Sequence, residues 1–202
     1  MSAKRVLVMG AGGDIGKIVA DDLAQRHDVI RAGRSSGDVQ VDLADRASIE
    51  AMYASIGSLD AVVSTAGDAH FGPLDGFTTD TFMIGLTHKV MGQVNLVLAG
   101  LTAIADGGSF TLTSGVLDRD PIPMGTGAAT ANGALTGFVT SAAIEMPRGL
   151  RVNVVSPGLL EVSVPRYGAW FPGHRPVGST DVALAYRKCV EGAITGQTVI
   201  VE

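Results

Sequence analysis

Short runs rich in valine and isoleucine alternate with helix-like stretches from one end of this chain to the other. That alternation restricts the fold more than any other feature. The runs "RVLVMG" (5–10), "DVIRAG" (28–33), "DAVVSTAG" (60–67), "GSFTLTSG" (108–115), "RVNVVSPG" (151–158) and "QTVIVE" (197–202) read as strands. Several are apolar at consecutive positions, so both faces of the sheet they form must be covered. The stretches 16–26, 44–57, 78–105, 127–145 and 179–192 read as helices, and Ile49, Met52 and Tyr53 repeat at helical spacing. Strands joined through helices pair in parallel, because each crossover returns the chain to the same end of the sheet.

The expected architecture is α/β: a Rossmann-like doubly wound parallel sheet of about seven strands in the order 3-2-1-4-5-6-7. Helices on both faces complete three α/β/α layers. With 202 residues and no internal repeat, low-complexity tract or linker, residues 1–202 are expected to form one domain. The 46% hydrophobic content supplies its core. A formal net charge of −5 without a basic block points away from nucleic acid. Cys189 stands alone, so neither an internal disulfide nor a cysteine-built metal site is expected. No apolar run approaches the roughly 18 residues of a membrane span, and no signal-peptide layout opens the chain. A cytoplasmic protein that does not enter membranes is the expectation.

Behind the first strand comes "GAGGDIG" (10–16), with Gly10, Gly13 and Gly16 spaced G-x-x-G-x-x-G. Glycines at that place let the turn close and let a phosphate approach the free N–H groups that open a helix. In a doubly wound sheet this is where a dinucleotide lies. Asp14 interrupts the small residues of the turn. A carboxylate at a helix start caps it, and we prefer that reading to a catalytic one.

Four segments, "GAGGDIG" (10–16), "STAG" (64–67), "PRGLRVNVVSPG" (147–158) and "GQTVIV" (196–201), resemble the short-chain dehydrogenases/reductases, in that family's order. The resemblance implies a nicotinamide cofactor cradled by Gly10, Gly12, Gly13, Asp14, Ile15 and Gly16. It also implies that Asp42 and Leu43 line the adenine and that Ala66 and Gly67 line the adenosine ribose. Beyond Pro157 and Gly158, the backbone of Leu160 meets the nicotinamide amide. At the end of the second strand an NAD site wants an acid. This chain has "AGRSS", with Gly33 at that place and then Arg34 and Ser35. An arginine there pairs with a 2′-phosphate, so NADP is expected over NAD. Where the family has a threonine for the pyrophosphate stands Val162, with Ser163 beside it.

The resemblance also implies a catalytic Tyr and Lys one helical turn apart, a Ser at the end of the fifth strand and an Asn on the preceding helix. With "GALTGF" set on the family's stretch after the Lys, the Lys position falls on Asn132 and the Tyr position on Ala128. The Ser position falls on Gly115, beside Ser114. No tyrosine lies between 54 and 166. The Asn position falls on Lys89. Lys89 is then either a replacement acid or oxyanion stabiliser, or a structural lysine bonded to Asn132, to backbone carbonyls or to an anion. Ser114 either turns into the site or only finishes its strand. His70 and His88 lack ligand spacing and read as loop or surface residues. The segment 161–176 holds Tyr167, Trp170, Phe171, His174 and Arg175 and either covers a substrate or packs over the sheet.

The expected activity is hydride transfer to or from a small carbonyl or alcohol, with Lys89, Ser114 and Asn132 as catalytic candidates. The alternative is an inactive NADP-binding redox sensor or regulatory protein. A small-molecule substrate and a homodimer or homotetramer are implied by the resemblance.

Overall fold

The computed structural model describes residues 2–202. Its elements run β1 (Arg5–Met9), α1 (Asp14–Leu23), β2 (Asp28–Gly33), β3 (Val39–Gln40), α2 (Arg46–Ile56), β4 (Leu59–Ser64), α3 (Thr79–Ile84), α4 (Gly92–Gly100), β5 (Ile104–Thr113), α5 (Thr126–Ala142), β6 (Arg151–Pro157), α6 (Val164–Tyr167), α7 (Ser179–Glu191) and β7 (Thr198–Val201). The strands form a parallel sheet in the order β3-β2-β1-β4-β5-β6-β7, as expected.

Period-two alternation within β1 sorts its side chains between two cores. Val6 and Val8 pack with Val19, Leu23, Val182 and Tyr186, from α1 and α7. Leu7 and Met9 face the other way, among Ile49, Leu96 and Leu135 from α2, α4 and α5. All ten are buried. Each such apolar side chain contributes about 1.5–3 kcal/mol on burial, and this holds a helix layer against each face of the sheet.

Three boundaries differ from the sequence reading. β3 is a two-residue strand that pairs Val39 and Gln40 with Ala32 and Gly33. It is too short to show a period. The helical stretch expected over 78–105 ends at Gly100 and contains a π-helical segment, Gly85–Met91, between α3 and α4. It ends early because Gly100 sits against the next strand. A Cβ there would lie 2.7 Å from both Phe110 Cε1 and Tyr53 Oη. β5 accordingly begins at Ile104, ahead of the expected start, and reaches Ser109 through a register shift beside Leu59 and Ala61. No helix among the described residues is long and apolar enough to cross a membrane.

Buried polar bonds fix the carboxyl ends of the central strands. The Gln93 side chain donates to the Thr113 carbonyl at 2.9 Å and accepts from its N–H at 2.8 Å. Thr113 Oγ1 donates to the Ser64 carbonyl at 2.5 Å and lies 2.6 Å from Tyr186 Oη. Satisfied networks of this kind hold backbone rigidly in a low-dielectric interior. They determine where the chain leaves the sheet at Ser64 and Ser114.

Candidate active site

Two cavities open along the carboxyl ends of the strands and share Gly67 and Asp68 on their walls. The smaller, about 340 Å³, is bounded by Gly10, Gly33, Arg34, Asp42, Leu43 and Ala66, with His88 and Asp68 also on its wall. It therefore gathers residues the sequence assigns to the adenosine half of a dinucleotide. Gly10 makes its floor with φ +80°, a conformation glycine takes without strain. A Cβ on Gly16 would stand 2.0 Å from the Gly10 carbonyl oxygen, so only glycine lets α1 start this close to the turn.

The Gly13 N–H donates to Gly10 O and the Lys17 N–H to Gly13 O. The amides of Asp14, Ile15 and Gly16 reach no protein acceptor among the described residues. Free donors at a helix start suit an anion, so the residues present fit a pyrophosphate. Ser35 is exposed and lies outside both cavity walls, whereas Ser36 Oγ approaches Gly12, 3.3 Å from where its Cβ would be.

Asp14 does not cap α1. The N-cap is Gly13, and no side chain bonds the free amides. The Asp14 carboxylate instead accepts from Ser163 Oγ at 2.8 Å and pairs with the Arg166 guanidinium. Sequence spacing gives no sign of these partners, which come from the far side of β6.

The larger cavity measures about 760 Å³. Lys89, Ser114 and Asn132 meet on its wall, with Ala128 a turn before Asn132 on α5. Lys89 Nζ donates to Asn132 Oδ1 at 2.6 Å and to the Ser114 carbonyl at 2.9 Å. Ser114 thus contributes its backbone; its hydroxyl is buried and bonds nothing. Burial of the ammonium pushes the Lys89 pKa down to about 8, against a smaller upward pull from Asp118. Asp118 follows β5 in a short 3₁₀ turn and was not apparent from sequence as a neighbour of Lys89.

The rest of that wall is apolar or aromatic. Phe71, Val116, Leu117, Ile122 and Met124 come from loops after β4 and β5, and Leu160, Tyr167, Trp170 and Phe171 follow β6. The apolar run in "GVLDRDPIPMG" (115–125) is the signal that would have found the middle group. The segment 161–176 leaves and returns at one place. Leu160 and Val177 pair across its ends, Glu161 N donates to Val177 O at 3.0 Å, and Val177 N donates to Leu159 O at 2.8 Å. Closed ends and partly exposed rings make it a compact excursion over the cavity, with His174 Nδ1 3.4 Å from Asp120. His88 is exposed, as expected of a surface histidine, but it also lines the smaller cavity. The π-helical segment sends the adjacent Lys89 to the larger one. Such segments are frequent at functional sites.

The family model described as enoyl-(acyl carrier protein) reductase matches residues 6–170. The chain belongs to the short-chain dehydrogenase/reductase family. It is 27% identical over 194 residues to a hydroxynaphthalene reductase of Aspergillus fumigatus, across 84% of this chain and 71% of that enzyme. Among solved structures it resembles the protein lin1944 of Listeria innocua at 46% identity and TM-score 0.97, over 99% of this chain and all of the other. It also resembles a small-chain dehydrogenase in complex with NADPH, at 26% identity and TM-score 0.87, over 100% and 97% of the two chains. At the positions the resemblance assigns, this dehydrogenase/reductase carries the lysine on the earlier helical segment and the asparagine on α5. The two residues still face each other.

Proposed function

We propose that this chain is an NADP-dependent oxidoreductase that transfers hydride to or from a small carbonyl or alcohol, with Lys89 in place of the usual tyrosine. The observation that carries this reading is the Lys89 ammonium on the wall of the larger cavity, held by Asn132 Oδ1 and the Ser114 carbonyl, with desolvation pushing its pKa down to about 8. A bound nicotinamide supplies the hydride chemistry. Arg34 and Asp42 are read as holding the adenosine end, with Ser35 beside the 2′-phosphate. The amides of Asp14, Ile15 and Gly16 take the pyrophosphate, and Gly67, Pro157, Gly158 and Leu160 border the nicotinamide end.

Lys89 has two of its three ammonium protons on protein acceptors. The third serves the substrate oxygen, donating a proton in reduction and stabilising the negative charge that develops. Asn132 and the Ser114 carbonyl are positioning groups in this scheme, because they fix where that ammonium points. The apolar wall selects a neutral substrate and excludes water. We read residues 1–202 as one functional domain, and the half-exposed Leu98 beside the groove between α4 and α5 supports a homodimer or homotetramer.

A second reading has its own support: Lys89 bonded to Asn132 and a backbone carbonyl is also how a structural lysine is held. An NADP-binding sensor would keep the smaller cavity and need no acid. Titration with NADPH and NADH, followed by a panel of apolar ketones with the tighter cofactor, separates the two. Oxidation of NADPH by any member, lost in Lys89→Met, supports the enzyme. NADPH binding without turnover across the panel moves the sensor ahead.

A further inference from the structure

Asp14 poses a problem at the first position of α1. The neighbouring amides of Ile15 and Gly16 are free to bind an anion, yet a carboxylate there repels one. The structure answers with a cation. The Arg166 guanidinium pairs with Asp14 Oδ2, and Ser163 Oγ donates to the same oxygen. Both partners belong to the excursion after β6, and Ser163 and Ile15 lie on the wall of the larger cavity. The Arg166 side chain is 56% exposed. Exposed ion pairs contribute only about 0–1 kcal/mol to stability, so the guanidinium can take a further anionic partner at little cost to the fold. A guanidinium has five N–H donors in a fork. Those not used on Asp14 have no hydrogen-bond acceptor among the described residues, and the guanidinium carbon lies 5.3 Å from the centroid of the Tyr167 ring.

We propose that Arg166 is a cofactor-binding residue, the cation for the dinucleotide's pyrophosphate, held at the start of α1 by Asp14. The assignment rests on the NADP reading above. Asp14 occupies one part of the fork and leaves the remaining donors for phosphate oxygens. The pair also brings the net charge beside the turn from −1 to zero. Ser163, bonded to the same carboxylate oxygen, fixes the direction of the carboxylate and so of the arginine. Tyr167 and Trp170 follow Arg166 on the excursion and line the larger cavity, so a contact at the pyrophosphate anchors the aromatic wall of that cavity as well.

The test compares NADPH with adenosine 2′-monophosphate, which carries the 2′-phosphate and lacks the pyrophosphate. Both are titrated by calorimetry into the wild type, Arg166→Ala, Asp14→Asn and the double variant, with melting temperatures checking that each is folded. Arg166→Ala is expected to weaken NADPH about tenfold and to leave adenosine 2′-monophosphate within twofold. Asp14→Asn combined with Arg166→Ala should recover part of that loss, because the unpaired carboxylate is gone. NADPH affinity unchanged in folded Arg166→Ala overturns the assignment, as does an equal loss for both molecules. If the wild type binds neither molecule, the NADP reading itself fails and takes this inference with it. Binding of adenosine 2′-monophosphate with an indifferent Arg166 removes the inference alone.

Discussion

The two ends of the crevice solve their problems with different materials. In the proposed scheme the working groups at the glycine turn are backbone: free amides of α1, a φ +80° glycine, and a helix start that a Cβ on Gly16 would close. On the wall of the larger cavity the proposed working groups are side chains, chiefly Lys89 and Asn132. Backbone function constrains the sequence through steric exclusion, and few residues satisfy it. Side-chain function needs only the right atom at the right place, so another residue, or another element, can supply it. This accounts for a turn that keeps the family's glycines beside a wall where alanine and asparagine stand at the expected Tyr and Lys positions.

The largest effect should come from the side-chain end. Lys89→Met keeps the apolar stem and deletes the ammonium. Turnover should fall by about 10²–10⁴, the range for a positioned acid, with NADPH affinity changed severalfold at most. Loss confined to turnover marks an interaction made in the transition state. The wild-type rate of carbonyl reduction should be flat at low pH and fall about tenfold per unit above about 8, where the ammonium loses its proton. Alcohol oxidation should rise over the same interval, since it needs the neutral amine. Stability has a matching sign. The folded pKa lies below the unfolded value of 10.5, so the unfolded chain holds more protons between about 8 and 10.5 and stability rises with pH there. Lys89→Met should abolish that rise in denaturant titrations. Turnover unaffected by the substitution would make the lysine structural and erase the distinction between the two ends.

Gly16→Ala probes the backbone end. Its Cβ would meet the Gly10 carbonyl at 2.0 Å, so the turn and α1 must separate. Overpacking of this kind costs roughly 1–3 kcal/mol, and NADPH and NADH affinity should fall together by about tenfold or more in calorimetry. Wild-type affinity in this variant would mean that the turn holds no dinucleotide. Arg34→Ala acts at the same end through a side chain and should be smaller and selective. A charge-assisted bond contributes roughly 1.5–3 kcal/mol, and the lower figure suits an exposed arginine. NADPH should weaken about tenfold while NADH stays put. Equal weakening of both would remove the 2′-phosphate from Arg34.

The same contrast explains what was legible in the sequence. Strands β1, β4 and β6 announce themselves by clustered valines and leucines because both faces are buried, and the glycine turn announces itself because few residues fit there. β3 does not, since Val39 and Gln40 are too few to show alternation. The π-helical segment is invisible because its residues have ordinary helical composition, yet it sends His88 and Lys89 to different cavities. The resemblance to the family, counted from Gly67 and from "GALTGF", put Lys89 within reach of Asn132, and the two are bonded. It was not enough to find Asp118 beside them, or to join Asp14 to Arg166, 152 residues later. Those contacts depend on how loops fold back over the sheet, and a loop carries no period to read.

The smallest expected effect tests whether the side-chain end is truly interchangeable. Lys89→Asn alone leaves the Ser114 carbonyl without its charged donor. Asn132→Lys alone sets two ammonium groups within reach of each other, because Nζ already lies 2.6 Å from Asn132 Oδ1. Each single change leaves a buried polar group poorly paired and should cost about 1–3 kcal/mol. Made together, they restore one lysine facing one asparagine with the two elements exchanged. The double variant should then lie within about 1 kcal/mol of the wild type, far from the sum of the singles, and such non-additivity is the signature of a direct contact. Urea midpoints at unchanged slope would measure it. If the two costs simply add, position 132 cannot host the ammonium in this backbone. Lysine and asparagine would then not be interchangeable across this contact, and the side-chain end would be as tightly specified as the glycine turn.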